Sequence, residues 1–168
     1  PIPNKELDQA DINQVINDFR TATKLSIDAG YEIAEIHGAH GYLIHQFLSS
    51  TSNQRQASYG GSLENRMRFA IEVASAVRDL WPKQHPVFFR LSAVDSQGGS
   101  WTLGEAVALA NALRDVGIDM IAGPSEVTIV ADRYANADWI ASDLIAQAEH
   151  DGYAQSILIA NNSDLIKK

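Results

Sequence analysis

The stretch that decides the fold is Ile33-Ala34-Glu35-Ile36-His37-Gly38, followed at once by Ala39-His40-Gly41-Tyr42. Its first part is short and predicts a β-strand. In front of it, apolar residues recur at helical spacing from Ile12 to Ala22, and Gly30 has the place of a glycine that ends a helix. A long helix that leads into a short strand is typical of an α/β protein.

Helices and strands continue to alternate along the chain. Ser62 can cap a helix that ends before Pro82, because a residue before proline is pushed out of helical geometry. Thr102 and Glu105 have capping-box spacing and open a further helix, which ends at Gly117. The remaining predicted elements are a brief helix over Leu43 to Leu48, strands over Pro86 to Leu91, Ile118 to Ala122, Val127 to Ala131 and Gln155 to Ala160, a helix from Asn136 to Ala148 and a final turn at Ser163.

This order of elements predicts a mostly parallel sheet of four or five strands with flanking helices, because strands joined by long helices form right-handed crossovers. Such a sheet has too few strands to close an eight-stranded barrel. We therefore expect a single α/β domain over residues 1–168, an open sandwich of the Rossmann-like or flavodoxin-like kind. The alternative is half of a TIM barrel that pairs with a second copy as a homodimer.

Composition excludes several classes of function. The chain has 168 residues, 45% of them hydrophobic, no cysteine and a formal net charge of −8. Disulfides, thiolate metal sites and cysteine nucleophiles are therefore excluded, and the negative charge argues against nucleic acid as a partner. No apolar run approaches the roughly 20 residues that span a bilayer, so we expect no membrane partner and a soluble, cytoplasmic protein. The start at Pro1, without methionine, suggests a processed, tagged or excised chain.

Four polar side chains follow or end neighbouring strands, where ligands of parallel α/β folds bind. His37 and His40 could both donate hydrogen bonds to one carbonyl or phenolate oxygen, or they could bind a metal. Tyr42 could protonate a carbanion. Arg90, at the end of the next strand, could stabilise negative charge on a bound cofactor. The alternative is structural: the histidines cap the end of a strand and Arg90 pairs with a carboxylate.

One resemblance covers about residues 5 to 121 in unbroken order, and its centre is the segment from Glu35 to Leu48. The other matching segments are Asp18-Phe19-Arg20, Ala29-Gly30, Ser52-Asn53-Gln54-Arg55, Tyr59-Gly60-Gly61-Ser62, Glu64-Asn65-Arg66, Arg68-Phe69 and Pro86 to Ser92 with Asp95. On these residues the chain resembles the old yellow enzymes, which are FMN-dependent ene-reductases. The family pattern is not fully kept, since Ala57 stands where an aspartate is usual.

The resemblance implies a piece of a TIM barrel that binds FMN. It implies that His37 and His40 hold the electron-withdrawing oxygen of the substrate, and that Tyr42 donates a proton to the alkene. Arg90 would lie against the flavin ring. The implied reaction is hydride transfer from reduced FMN to an activated double bond. The earlier and the last strands of the family, which supply much of the flavin pocket and the FMN phosphate site, are missing from this sequence.

The last third of the chain is interpreted differently. The segment from Gly117 to Val127 resembles histidinol dehydrogenase, and further matching residues extend to Leu158. This resemblance implies that Gln147 and His150 are zinc ligands and that Ser125 lies near a substrate. A zinc site needs three or four ligands, so we expect no zinc to be bound. The structural alternative is a polar helix face.

Together the two resemblances lead to the hypothesis of an engineered chimera of two oxidoreductase fragments, residues 1–121 and 122–168, without a complete active site or an intact cofactor. The first alternative is a residual FMN-binding oxidoreductase of the ene-reductase type, in which a dimer of half-barrels rebuilds a cavity beside His37, His40, Tyr42 and Arg90. The second is a zinc-dependent dehydrogenase that uses Ser125, Gln147 and His150.

Overall fold

The computed structural model describes residues 5–95, 100–122, 126–131 and 155–160, together with the pairs 137–138, 140–141 and 144–145. The chain divides into two compact units, Pro1–Ala122 and Gly123–Lys168. Within the described ranges, no helix has both the length and the apolar character needed to cross a membrane.

The first unit alternates helices with three parallel strands. Its sheet has the order β1-β2-β3, so strands that are consecutive in sequence are also neighbours in the sheet. The elements are α1 (Gln9–Asp28), β1 (Ala34–Gly38), α2 (Leu43–Leu48), α3 (Leu63–Arg78), β2 (Val87–Leu91), α4 (Leu103–Asp115) and β3 (Met120–Ala122).

The long helices begin at polar caps. The Ser62 side chain accepts a hydrogen bond from the Asn65 N–H at the start of α3, and Thr102 forms a capping box with Glu105 at the start of α4. Both caps are those that the sequence predicts, because a side-chain oxygen at this position satisfies an N–H that has no partner within the helix. Asp8 caps α1 in the same way.

The sheet of the first unit has two unlike faces. On one face Ile36, Val87, Phe89 and Leu91 are buried and belong to the hydrophobic core, which the helices share. Gly38 also lies on this face, and a Cβ at its position would lie 2.3 Å from the Phe89 ring, so any larger residue would force the ring or the strand to move. On the other face, the side chains at alternate positions are exposed or half-buried, namely those of Glu35, His37, Phe88 and Arg90.

The second unit contains a parallel pair of strands, β4 (Glu126–Ala131) and β5 (Gln155–Ala160), with Glu126 opposite Gln155 and Ala131 opposite Ala160. Residues 137–138, 140–141 and 144–145 are helical, as the sequence predicts for this region. The final turn expected at Ser163 lies outside the described residues. Parallel strands with intervening helices confirm the α/β class, but the five described strands form two sheets, of three and of two strands, rather than the predicted single sheet of four or five. The expectation of one domain over the whole chain stays a prediction.

Candidate active site

The loop after β1 connects it to α2 through a short turn. His40 has a φ of 58° and Gly41 a φ of 74°, so two successive residues are left-handed. For a residue with a side chain this conformation costs about 1–2 kcal/mol. The His40 N–H donates to Ser92 Oγ (3.1 Å), and the Tyr42 N–H donates to the Ala39 carbonyl (3.2 Å). The first bond holds the strained turn against the segment that follows β2, and the second closes the turn itself.

The turn brings three predicted site residues, His37, His40 and Tyr42, together in what we call the histidine cluster. The centroid of the His37 ring lies 5.1 Å from that of His40 and 5.1 Å from that of Tyr42, and both pairs meet edge to face. His37 Nδ1 accepts a hydrogen bond from the Ala39 N–H (3.3 Å). When one nitrogen of a neutral imidazole accepts, the other carries the proton. This contact therefore assigns the proton to Nε2 and makes that atom a hydrogen-bond donor.

Tyr42 presents its phenol from a well-supported backbone. It occupies the N-cap position of α2, and its carbonyl accepts a hydrogen bond from the Gln46 N–H (2.9 Å). The Gln46 side chain also donates to the Gly41 carbonyl (2.8 Å). The Tyr42 side chain is nevertheless 62% exposed. A phenol with this exposure is accessible to a ligand that binds over the carboxyl end of β1.

Arg90 is directly opposite His37 in the register of β1 and β2. Its Nε donates to Glu35 Oε1 (2.7 Å) and its Nη2 donates to Glu35 Oε2 (3.0 Å), so the carboxylate and the guanidinium form a two-bond pair. The structural alternative for Arg90, a pair with a carboxylate, is therefore observed. It does not exclude a role toward a ligand, because the sheet register places Arg90 beside the histidine cluster. Sequence reasoning missed the partner, Glu35.

A buried polar cluster connects α2 with the segment after β2. The hydroxyls of Ser49 and Ser100 donate to Asp95 Oδ2 at 2.7 and 2.6 Å, and His45 Nε2 lies 3.9 Å from the same oxygen. Burial lowers the pKa of His45, although the Asp95 carboxylate opposes this effect. The imidazole is therefore neutral at pH 7. Nothing in the spacing of these residues indicates the cluster, because its members come together only in the fold.

Arg66 contacts the C-terminal end of α2. Its side chain is buried, its Nη1 donates to the Leu48 carbonyl, and its Nη2 donates to Glu105 Oε1 at 2.5 Å. Glu105 is also the capping-box residue of α4. One guanidinium thus connects the end of α2 with the start of α4, and this supports the short helix that follows Tyr42. The sequence places Arg66 in a matching segment but gives no sign of its partners.

The residues assigned to zinc and its substrate, Ser125, Gln147 and His150, lie outside the described residues. Their roles stay predictions. In the part of the chain that the structure describes, no group of three or more histidine, aspartate or glutamate side chains could hold a metal ion.

The family of the chain follows from comparison with known proteins. The sequence model of the NADH:flavin oxidoreductase / NADH oxidase family matches residues 1–159. The chain belongs to this family. It is 50% identical over 118 residues to an NADPH dehydrogenase of Clostridium acetobutylicum, a match that covers 70% of this chain and 34% of the relative. An NADPH dehydrogenase of Bacillus cytotoxicus is 34% identical over 168 residues, which cover 92% of this chain and 48% of the relative.

Solved structures show the same relationship at the level of the fold. Morphinone reductase in complex with tetrahydroNAD matches with a TM-score of 0.64 at 23% identity, over 93% of this chain and 47% of the other. The old yellow enzyme homologue from Zymomonas mobilis also has a TM-score of 0.64 at 23% identity, over 95% and 44%. These are TIM barrels, so the half-barrel alternative is favoured over an open Rossmann-like or flavodoxin-like sandwich. The chain spans about a third to a half of the curated relatives' length.

The hypothesis of an engineered chimera is wrong. One family model runs through both proposed fragments and ends at residue 159, well beyond the supposed junction at 121. The resemblance to histidinol dehydrogenase finds no support. The part of it from Gly117 to Ala122 is a left-handed glycine followed by a short parallel strand. Unrelated parallel α/β proteins use this same pattern, since helices very commonly end at a left-handed glycine before the strand that follows.

Proposed function

We propose that this chain supplies the substrate-facing part of an FMN-dependent oxidoreductase that reduces activated carbon–carbon double bonds at the expense of NADPH. The observation that carries the proposal is the meeting of the His37, His40 and Tyr42 rings at the end of β1, with Arg90 directly opposite on β2. Family membership supports the flavin, and the NADPH dehydrogenases among the relatives support the reductant.

The side chains on this edge fit an isoalloxazine ring in their chemistry. The pyrimidine side of a flavin gains negative charge on reduction, and a fixed cation stabilises such charge. Arg90 is the cation, and its guanidinium is held in one plane by Glu35. When FMN is bound, its reduced form supplies the hydride for the double bond. Arg90 would hold the ring, while the histidine cluster faces the substrate.

His37 and His40 would bind the substrate's carbonyl or nitro oxygen. The Nε2 proton of His37, assigned by the contact between Nδ1 and Ala39, is available for donation. A hydrogen bond to this oxygen withdraws electrons from the conjugated double bond and stabilises the negative charge that develops there as the hydride arrives. The left-handed turn at His40 keeps the second imidazole beside the first.

Tyr42 would donate the proton that completes the reduction. Its phenol is exposed and lies next to the His37 ring, so it can reach the carbon adjacent to the activating group. A phenol is a weak acid, and a positioned weak acid protonates a carbanion-like carbon effectively. The net reaction then adds a hydride to one carbon and a proton to its neighbour.

The first experiment tests flavin binding. The purified chain is titrated with FMN while the visible absorbance and the flavin fluorescence are recorded. A shifted absorbance band with quenched fluorescence is the expected result. Free flavin that remains unquenched at every protein concentration overturns the proposal for this chain.

The second experiment tests the proton donor with cyclohexenone as the acceptor. Tyr42→Phe should lower kcat by about 10²–10⁴-fold, the typical contribution of general acid catalysis, and should change KM much less. Tyr31→Phe is the matched control, because Tyr31 is equally exposed but precedes β1 and lies outside the cluster. Equal activity of the two variants would remove Tyr42 from the mechanism.

A further inference from the structure

We propose that Glu35 is a positioning residue that fixes the plane of the Arg90 guanidinium and moderates its positive charge toward the flavin. The inference rests on the proposed function, since it concerns the same site. It assigns a role to a residue that sequence reasoning left without one.

The geometry of the pair is specific. Two parallel hydrogen bonds, Nε to Oε1 at 2.7 Å and Nη2 to Oε2 at 3.0 Å, place the carboxylate and the guanidinium edge to edge. A two-bond contact of this kind restricts rotation about the last bonds of the arginine side chain, whereas a single bond would leave it free to turn. Glu35 therefore restrains the orientation of Arg90.

The position of the pair in the sheet connects it with the histidine cluster. Glu35 and His37 are two residues apart on β1, so their side chains lie on the same face. Arg90 is opposite His37 and reaches diagonally back to Glu35. The three side chains thus form one polar strip on the face that is not packed against the helices.

The location of the pair argues against a mainly stabilising role. The side chains of Arg90 and Glu35 are 21% and 34% exposed. Both groups are therefore partly accessible to a ligand on this face. The hydrophobic core lies on the opposite face of the same strands. A precise two-bond pair on the polar face is therefore better explained by the ligand that this face would bind.

The pair also has an electrostatic consequence. An arginine without a counter-ion would strongly favour the reduced, more negative flavin. A carboxylate in contact with the guanidinium cancels much of that field. Removal of the Glu35 charge should therefore make the site prefer reduced FMN more strongly, while a shorter acidic side chain should keep the charge but lose the two-bond geometry.

The test is the midpoint potential of bound FMN, measured by dye-coupled reductive titration of the chain and of Glu35→Gln. We expect the variant to prefer reduced over oxidised FMN about tenfold more than the parent, which corresponds to a rise of about 30 mV for a two-electron couple. Glu72→Gln is the matched control, because it also removes a glutamate charge but from α3, where Glu72 accepts a hydrogen bond from Tyr59.

The outcomes are distinct. A rise in Glu35→Gln without a rise in Glu72→Gln supports the proposal. Equal potentials in all three proteins, or equal shifts in both variants, overturn it and leave the proposed function standing, since FMN is then still bound. Failure of the parent chain to bind FMN counts against the proposed function instead.

A second variant covers the case in which Glu35→Gln does not fold, as judged by circular dichroism. Glu35→Asp keeps the charge, but its carboxylate is one methylene shorter and cannot make both bonds from the same backbone. We expect its affinity for FMN to fall several-fold. An unchanged affinity in Glu35→Asp overturns the positioning role.

Discussion

The two faces of the β1–β2 pair are built for different tasks from the same ten residues. On one face apolar side chains pack into the core, and Phe89 and Val87 have no exposed surface at all. On the other, Glu35, His37 and Arg90 carry charge or hydrogen-bonding groups and are partly exposed. Because side chains alternate between faces along a strand, neighbours in sequence have opposite environments. Residues that stabilise the fold and residues that could contact a ligand therefore alternate along each strand.

This separation means that adjacent substitutions should have very different effects. Substitutions on the buried face should change the free energy of unfolding, whereas those on the polar face should change ligand binding at nearly constant stability.

The largest effect should come from Phe89→Ala. Truncation of a fully buried phenylalanine typically costs about 3–5 kcal/mol of the free energy of unfolding, because it removes apolar contacts and leaves a cavity. Its neighbour Phe88 is half-buried on the other face, and Phe88→Ala should cost about 1 kcal/mol. Urea denaturation followed by circular dichroism measures both. Similar losses in the two variants would mean that the faces are not distinct in stability.

Gly38→Ala should have a smaller but clear effect on the same face. The added methyl group would lie 2.3 Å and 2.5 Å from two atoms of the Phe89 ring, so the ring or the strand must move. Overpacking of this kind costs about 1–3 kcal/mol. Phe89→Leu, introduced together with Gly38→Ala, should recover part of that loss because it removes the ring atoms that clash. Purely additive losses in a double-mutant cycle would show that the clash is not the cause.

The smallest effect should be a pH dependence of the free energy of unfolding that comes from His45, a buried polar residue of α2. Burial lowers its pKa in the folded state below the value of 6.5 for an exposed histidine. The unfolded chain therefore binds a proton at a higher pH than the folded chain does. The His45 contribution to stability is full above pH 6.5 and declines as the pH falls through 6.5 toward the lower folded-state pKa.

Thermal unfolding of the parent and of His45→Gln between pH 5 and pH 8 measures this contribution. The difference in stability between the two proteins should shift in favour of His45→Gln as the pH falls. If the difference is the same at every pH, the proton equilibrium of His45 does not contribute.

Much of the first unit could be predicted from local sequence. The predicted strand from Ile33 to Gly38 corresponds to β1, and the caps at Ser62 and Thr102 begin α3 and α4. These features are local, since they depend on residues three or four positions apart. The proximity of His37, His40 and Tyr42 is also local, since the three residues lie within six positions of the chain.

The assignment of the last third to a different family is wrong because it relies on a short local pattern. The segment around Gly117 to Ala122 has a pattern common to helices that lead through a glycine into a short parallel strand. Such a short pattern does not distinguish one α/β family from another. Only the family match, which extends over residues 1–159, distinguishes them.

The sequence by itself determined the α/β class, the helix caps and the cluster of His37, His40 and Tyr42, because each depends on neighbours along the chain. Only the tertiary structure decided the partners of Arg90 and His45. Glu35 and Arg90 are 55 positions apart, and His45 and Asp95 are 50 positions apart. These pairs form because the parallel register of β1 and β2 brings distant residues onto one face or into one buried cluster. No local pattern specifies that register.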